Sequence, residues 1–225
     1  MDNTKRQPRK QGWRFVLLAV ALAVAISGLV RSLWIDVYFI PSESMEPLLG
    51  PGDRILVSRT DFSVNPVHRG DVVVFDGRGT FAPLNSGKGP LADTAQAVGH
   101  WLGITGSDTT YVKRVIGIPG DHVECCGADG KLTVNGQGLE EPYLYPGDRP
   151  SDQNFNVVVP QGRLWLMGDH RSRSADSRGL LGAPGGGMVP IERVIGRPIQ
   201  IVWPLDRFAE VPRPAPAGTT TTNGQ

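Results

Sequence analysis

Thr110–Ile118 reads TYVKRVIGI, a β-branched and apolar run that carries two adjacent cations and ends at the turn pair Pro119-Gly120. Such a run predicts a strand. Side chains alternate along a strand, so Tyr111, Lys113 and Val115 share one face and Arg114 points the opposite way. Lys113 then lies among apolar neighbours on a face that can be buried, where loss of water lowers an ammonium pKa. A lysine on the solvent face of an edge strand has the same local sequence, so position alone leaves both readings open. To act as a base near neutrality the amine must drop by roughly 3 units from about 10.4, on the order of 4 kcal/mol.

Strand signals continue on both sides. Asp53–Arg59 (DRILVSR) alternates, and Val72–Phe75, introduced by Gly70-Asp71, has the compact apolar form of a buried strand. Ile35–Phe39 is a short β-like stretch ended by Pro41. His122–Cys126 and Lys131–Asn135 predict a hairpin around Gly127–Gly130. A polar, proline-rich loop follows over Pro142–Gln153, then strands at Val157–Val159, Arg163–Met167, Val189-Pro190 and Val194–Trp203. Between 77 and 109 periodicity gives way to Gly77, Gly79, Pro83, Gly87, Gly89 and Pro90, which predicts a surface insertion with a short helix over Leu91–Leu102. The expected architecture is one mainly-β domain over 36–208, followed by a disordered tail over 209–225 that ends in the low-complexity run PRPAPAGTTTTNGQ.

The N-terminus is different. Phe15–Val30 (FVLLAVALAVAISGLV) has no charge, and Trp13 and Trp34 flank it. An apolar helix needs about 20 residues to cross a bilayer core. The run reaches that length if Trp13 and Ser32–Ile35 are included and Arg31 snorkels to the interface. Before it, Lys5, Arg6, Arg9, Lys10 and Arg14 stand against Asp2 alone, whereas the rest of the chain holds 18 basic and 21 acidic side chains. This pattern predicts a cytoplasmic tail over 1–12, a single-pass anchor in the plasma membrane over 13–35, and an extracytoplasmic domain. A cleavable signal peptide shares the basic start and apolar middle, but no polar region with a small-x-small site follows, Ala23 and Ala25 lying within the run. A buried core helix is the third reading, and apolar surface on all sides suits lipid better. No basic patch with interleaved aromatics supports nucleic-acid binding. Cys125 and Cys126 are adjacent, and neighbouring residues close a disulfide only through a strained ring, so two free thiols are expected. Zinc needs other ligands at other spacings.

Three polar segments can carry chemistry. Pro41-Ser42-Glu43-Ser44-Met45-Glu46-Pro47 holds two serines between prolines that restrict the backbone. Ser44 is a candidate nucleophile there, although serine in such a turn is commonly a turn residue only. A serine nucleophile needs a base. None of His68, His100, His122 and His170 sits in a recognisable triad context, which leaves a neutral lysine, and hence Lys113. The third segment, Gly168–Arg178, is dense in hydroxyls and mixed charge. Asp169, Asp176, Arg171 and Arg178 can pair and pin a loop, and Ser174 can orient an amine; a solvated polar loop is the alternative.

Together these segments resemble the type I signal peptidase family, in order and in context. The resemblance implies that Ser44 is the nucleophile, that the Ser42 hydroxyl and the Ser44 N–H bind the oxyanion, and that Lys113 is the general base. It also implies that Ser174 holds the Lys113 amine and that Asp169, Asp176 and Arg178 support the site. Gly70–Phe75 is similar to the family's intervening strand box. His170 stands where many members have Asn, Ser172 and Arg173 fall at variable positions, and Glu43 replaces the Gly of some members. The implied fold is a signal-peptidase-like β domain with a LexA-like core and one N-terminal transmembrane helix. The implied activity is removal of N-terminal signal peptides from secretory preproteins after Ala-x-Ala-like sites, with no metal or organic cofactor, at the lipid bilayer and beside the secretion translocon. A tethered preprotein-binding module without catalysis and a LexA-type self-cleaving protein are the competing readings.

Overall fold

The computed structural model describes residues 10–82 and 109–214, the side chains at 10, 11 and 29–33 excepted. The run containing Lys113 becomes β4 (Thr110–Gly117), hydrogen-bonded to β3 (Val72–Asp76) on one side and to β9 (Arg163–Met167) on the other. The lysine is therefore on a central strand, not an edge. Outward from β3 lie β11 (Val194–Trp203), β2 (Arg54–Ser58) and β1 (Ile35–Phe39); outward from β9 lies β10 (Val189–Pro190). All these pairs are antiparallel. A second sheet, ordered β7-β6-β5-β8, comprises β5 (His122–Cys125), β6 (Leu132–Val134), β7 (Gln137–Gly138) and β8 (Phe155–Val158).

The apolar run at β3 reads as it does because both its faces are covered. Val72 and Val74 join a core with Met45, Leu49, Ile55 and Val57, while Val73 and Phe75 join another with Val115, Leu164 and Leu166. A third core, around Ile116, Val123, Phe155 and Trp165, glues the two sheets together. At the β4 bulge, Gly117 leaves room for this junction: a Cβ there would lie 2.7 Å from Val123 and 2.8 Å from Val159. The pairing of β9 begins only at Arg114↔Met167, so Thr110–Lys113 have a partner strand on one edge and none on the other. That open edge is where the site forms.

Several expectations are corrected. The tail does not begin at 209: β12 (Ala209–Glu210) pairs with β11, Val211 is buried in the core, and Arg213 bonds Asp61 and Asp71. A low-complexity ending hid these contacts, which depend on partners remote in sequence. Cys125 and Cys126 are not free thiols but form a disulfide across a cis peptide bond, their Cα atoms 2.9 Å apart. The expectation rested on the small ring that neighbouring cysteines must close, which the cis peptide accommodates here. The helix expected over Leu91–Leu102, with most of the 77–109 insertion, lies outside the described residues; the insertion's ends meet where the Gly77 N–H donates to the Thr109 carbonyl at 2.7 Å. A short helix, α2 (Asp61–Val64), was not foreseen. At the N-terminus α1 (Lys10–Leu33) is helical for 24 residues, yet among the described residues no helix is long and apolar enough to cross a membrane.

A chain ended after Phe208 is expected to lose roughly 2–3 kcal/mol of stability, since burial of one valine alone is worth about 1.5–3 kcal/mol. Denaturant unfolding beside the full chain checks this, and an unchanged midpoint would mean that β12, Val211 and Arg213 are dispensable.

Candidate active site

The loop between β1 and β2 is pinned at both ends before it reaches Ser44. The Ile40 N–H donates to the Asp53 carbonyl at 2.8 Å, after which Pro41 ends the strand. Met45 and Leu49 are fully buried, and the Asp53 carboxylate accepts from the Gly50 N–H and from Arg207. The Ser44 carbonyl accepts from the His170 N–H at 3.2 Å, which ties the loop to the segment after β9. Ser44 is thereby held against the open edge of β4. Lys113 Nζ lies 2.6 Å from Ser44 Oγ as its donor, and Ser42 Oγ is 3.4 Å from the same oxygen. Both partners are buried, Ser44 at 6% and Lys113 at 3% exposure. Among the described residues the Ser44 N–H has no acceptor. Burial pulls the Lys113 pKa down from 10.5 to about 8, against the upward pull of Asp176 and Asp169 and with help from Arg178.

Neither carboxylate bonds the lysine, because each is engaged by an arginine. Asp176 takes two bonds from Arg178 at 2.8 Å and one from the Gly168 N–H at 3.1 Å. Burial alone would raise this carboxyl; Arg178 and the Gly168 N–H outweigh it and hold it below its ordinary value. Asp169 receives Arg114 Nε at 2.7 Å and Nη2 at 2.5 Å, but burial still keeps it above its ordinary value. Gly168 sits between the two halves of the site. A Cβ there would stand 2.4 Å from the Ser44 carbonyl oxygen and 2.3 Å from Ser174 Oγ, so no other residue fits without displacing the Ser44 loop. Ser174 is thus brought to the site, its buried hydroxyl near enough to Asp176 to help lower that carboxyl but without the geometry of a full hydrogen bond among the described residues. From Ser44 a cleft of about 190 Å³ runs between the outer edge of β1 and the open edge of β4, lined by Tyr38, Ile40, Met45, Tyr111 and Val112.

A serine and a lysine in buried contact beside such a cleft can perform acyl transfer. The family model for signal peptidase, peptidase S26, matches residues 13–203. The chain belongs to that family. It is 36% identical over 237 residues to a probable signal peptidase I of Mycobacterium leprae (strain TN), covering 91% of this chain and 81% of that protein. Signal peptidase I of Mycobacterium tuberculosis (strain ATCC 25618 / H37Rv) is 36% identical over 93% of this chain and 79% of its own length, and that of Bacillus licheniformis 30% over 84% and 88%. A crystal structure of a signal peptidase I from Enterococcus faecalis V583 shares 25% identity, covers 59% of this chain and 97% of its own, and superposes with a TM-score of 0.39.

The residues singled out for this peptidase family site, Ser42, Ser44, Lys113, Asp169, Ser174, Asp176 and Arg178, all gather within it. The sequence reading missed others. Arg114 was assigned only a direction, yet its guanidinium joins Asp169 to the Gly70 carbonyl and lies 4.0 Å over the Tyr143 ring. Glu141 was not singled out at all: Arg171, expected to pair within its own loop, donates to the Gly168 carbonyl at 2.9 Å and forms a buried ion pair with Glu141 instead. Tyr145 stacks on His170 at 3.8 Å. The two tyrosines, unusual in a polar loop, were the available signal that residues 142–153 pack inward.

Because burial lowers Lys113 to about 8 in the fold, the unfolded chain binds the extra proton between that value and its own pKa. The stability withheld by this group returns as pH rises through that window. Lys113→Met is therefore expected to exceed wild type by up to about 3 kcal/mol at pH 7 and to lose most of that lead by pH 10. Denaturant unfolding at both pH values measures it, and a gap that does not shrink contradicts the depressed pKa.

Proposed function

We propose that the chain is a membrane-anchored serine endopeptidase that removes signal peptides from secreted preproteins, with Ser44 as nucleophile and Lys113 as general base. The observation that carries this reading is the buried 2.6 Å contact between Lys113 Nζ and Ser44 Oγ. Neutral Lys113 takes the Ser44 proton as Oγ attacks the scissile carbonyl. The Ser44 N–H, free of other acceptors, and the Ser42 hydroxyl stabilise the oxyanion, a contribution often near 3 kcal/mol per donor. Lys113 then protonates the leaving amine, an ester on Ser44 remains, and water activated by the same lysine releases the acyl group. Ser174, whose buried hydroxyl makes no full hydrogen bond among the described residues, steadies the amine through this cycle. Asp169, Asp176 and Arg178 hold the Gly168 segment against the nucleophile loop.

The substrate binds extended, adding a strand between the outer edge of β1 and the open edge of Thr110–Lys113. The narrow apolar cleft favours small side chains at the −1 and −3 positions. The anchor reading rests on the uncharged run Phe15–Val30 of the sequence, and Phe15, Leu18, Leu22 and Ile26 are exposed on α1. Held in the plasma membrane with the N-terminus inside, it keeps the site where a preprotein leaves the translocon.

Detergent-solubilised protein is expected to cut a preprotein at an Ala-x-Ala junction. Ser44→Ala and Lys113→Ala each lower kcat/KM at least about a thousandfold with the fold intact by circular dichroism. Cleavage surviving in either folded variant removes the dyad; saturable binding without product by wild type makes the chain a tethered binder. For wild type, kcat/KM is expected to rise with pH through an apparent pKa of about 8, because that ratio reports the free enzyme's base. The profile of kcat is expected to rise earlier, since a peptide in the cleft excludes more water from the amine.

A further inference from the structure

A second concavity lies away from the peptide cleft. It encloses about 460 Å³ and is apolar apart from Arg59 and Ser63, with Phe62, Val67, Ile118, Leu164, Ile191 and Val194 among its walls. With so few polar groups, it would strip a peptide backbone of water without replacing its hydrogen bonds, whereas a hydrocarbon chain needs none. Arg59 links its wall to the helix end of the molecule. The Arg59 N–H donates at 3.0 Å to the carbonyl of Trp34, the residue that follows α1. Trp34 is 57% exposed, and Val64, at the end of α2 beside the groove, is 81% exposed. The Arg59 guanidinium has one charged neighbour, Asp36 at 3.9 Å, and among the described residues it donates no hydrogen bond. The nearby Arg197 and Arg213 differ in this respect, being bonded to Asp61 and Asp71.

From this placement we infer that the groove binds an anionic phospholipid, one acyl chain lying along Phe62, Val67 and Val194 and the phosphate on Arg59. An arginine with unused donors suits a phosphate, and an apolar groove whose wall is hydrogen-bonded through Arg59 to Trp34, at the foot of the anchor, lies within reach of a chain from the bilayer. The inference rests on the reading of α1 as a membrane anchor.

The test uses the full chain in lipid nanodiscs containing phosphatidylglycerol with a photoactivatable acyl chain, or phosphatidylcholine with the same chain, and maps the cross-links by mass spectrometry. Label is expected on 59–67 and 191–195, about fivefold stronger with phosphatidylglycerol, in keeping with one surface arginine. Arg59→Gln should bring it down to the phosphatidylcholine level. Ser63→Trp, a change at an exposed position that fills the groove, should abolish groove label in both lipids while leaving label on 13–34. Label confined to 13–34 in wild type overturns the lipid site and leaves the anchor standing. Groove label indifferent to both substitutions also overturns it. A chain that takes no label anywhere and is washed from membranes by alkaline carbonate overturns the anchor reading, and the lipid site with it.

Discussion

Burying the Lys113 amine beside Ser44 removes its hydration, and no carboxylate takes the water's place. A direct bond from Asp176 or Asp169 would stabilise the ammonium and raise its pKa, leaving the lysine charged and useless as a base. Both carboxylates are close enough to pull in that direction. What restrains them is that each faces an arginine: Arg178 for Asp176 and Arg114 for Asp169. The two buried ion pairs are thus more than braces for a loop. They keep negative charge near the lysine compensated, so that desolvation dominates its protonation.

The fold serves this arrangement by leaving half of one central strand unpaired. If β9 ran alongside the whole of β4, its continuation would cover Lys113 and the nucleophile loop would have nowhere to dock. Instead β9 breaks off at Met167, and Gly168 turns the chain inward between Ser44 and Ser174. The same short segment sends an N–H to Asp176 and a carbonyl to Arg171, while the next two residues supply the Asp169 carboxylate and the N–H that holds the Ser44 carbonyl. A substitution at Gly168 would disturb the nucleophile loop, the Asp176 pair and the Arg171–Glu141 clamp at once.

How much of this was legible in the sequence follows from the range of each interaction. The β4 strand, the apolar β3 run and the separation of Lys113 from Arg114 onto two faces are written in neighbouring residues, and periodicity recovers them. Ser44 and the Gly168–Arg178 segment could be picked out by composition and resemblance, although nothing local says that Lys113 reaches Ser44 across 69 positions. Arg114 was undervalued because alternation predicts only which way a side chain points, and on a strand buried on both faces the opposite direction is also interior. Glu141 and Arg171 find each other from either side of β8 and β9, a pairing no window could contain. β12 failed for the reverse reason: prolines and alanines around it announce disorder, and only Val211 and Arg213, docking on β2, α2 and β3, say otherwise.

The state of the lysine also depends on what fills the cleft. In the free protein its amine is screened by Ser44 and the walls of β1 and β4, but the cleft itself stays open to water. On the proposed reading, a peptide laid along Tyr38, Ile40 and Val112 replaces that water with hydrocarbon and places its carbonyl, not a charge, beside Ser44 Oγ. The ammonium loses its last solvation while gaining no counter-ion, so its proton becomes easier to give up at the moment a base is needed. Neither Arg114 nor Arg178, the arginines on Asp169 and Asp176, lines the cleft. A base tuned by desolvation is thus partly held in reserve until the cleft is filled, whereas one tuned by a fixed cation would be equally active in the empty protein.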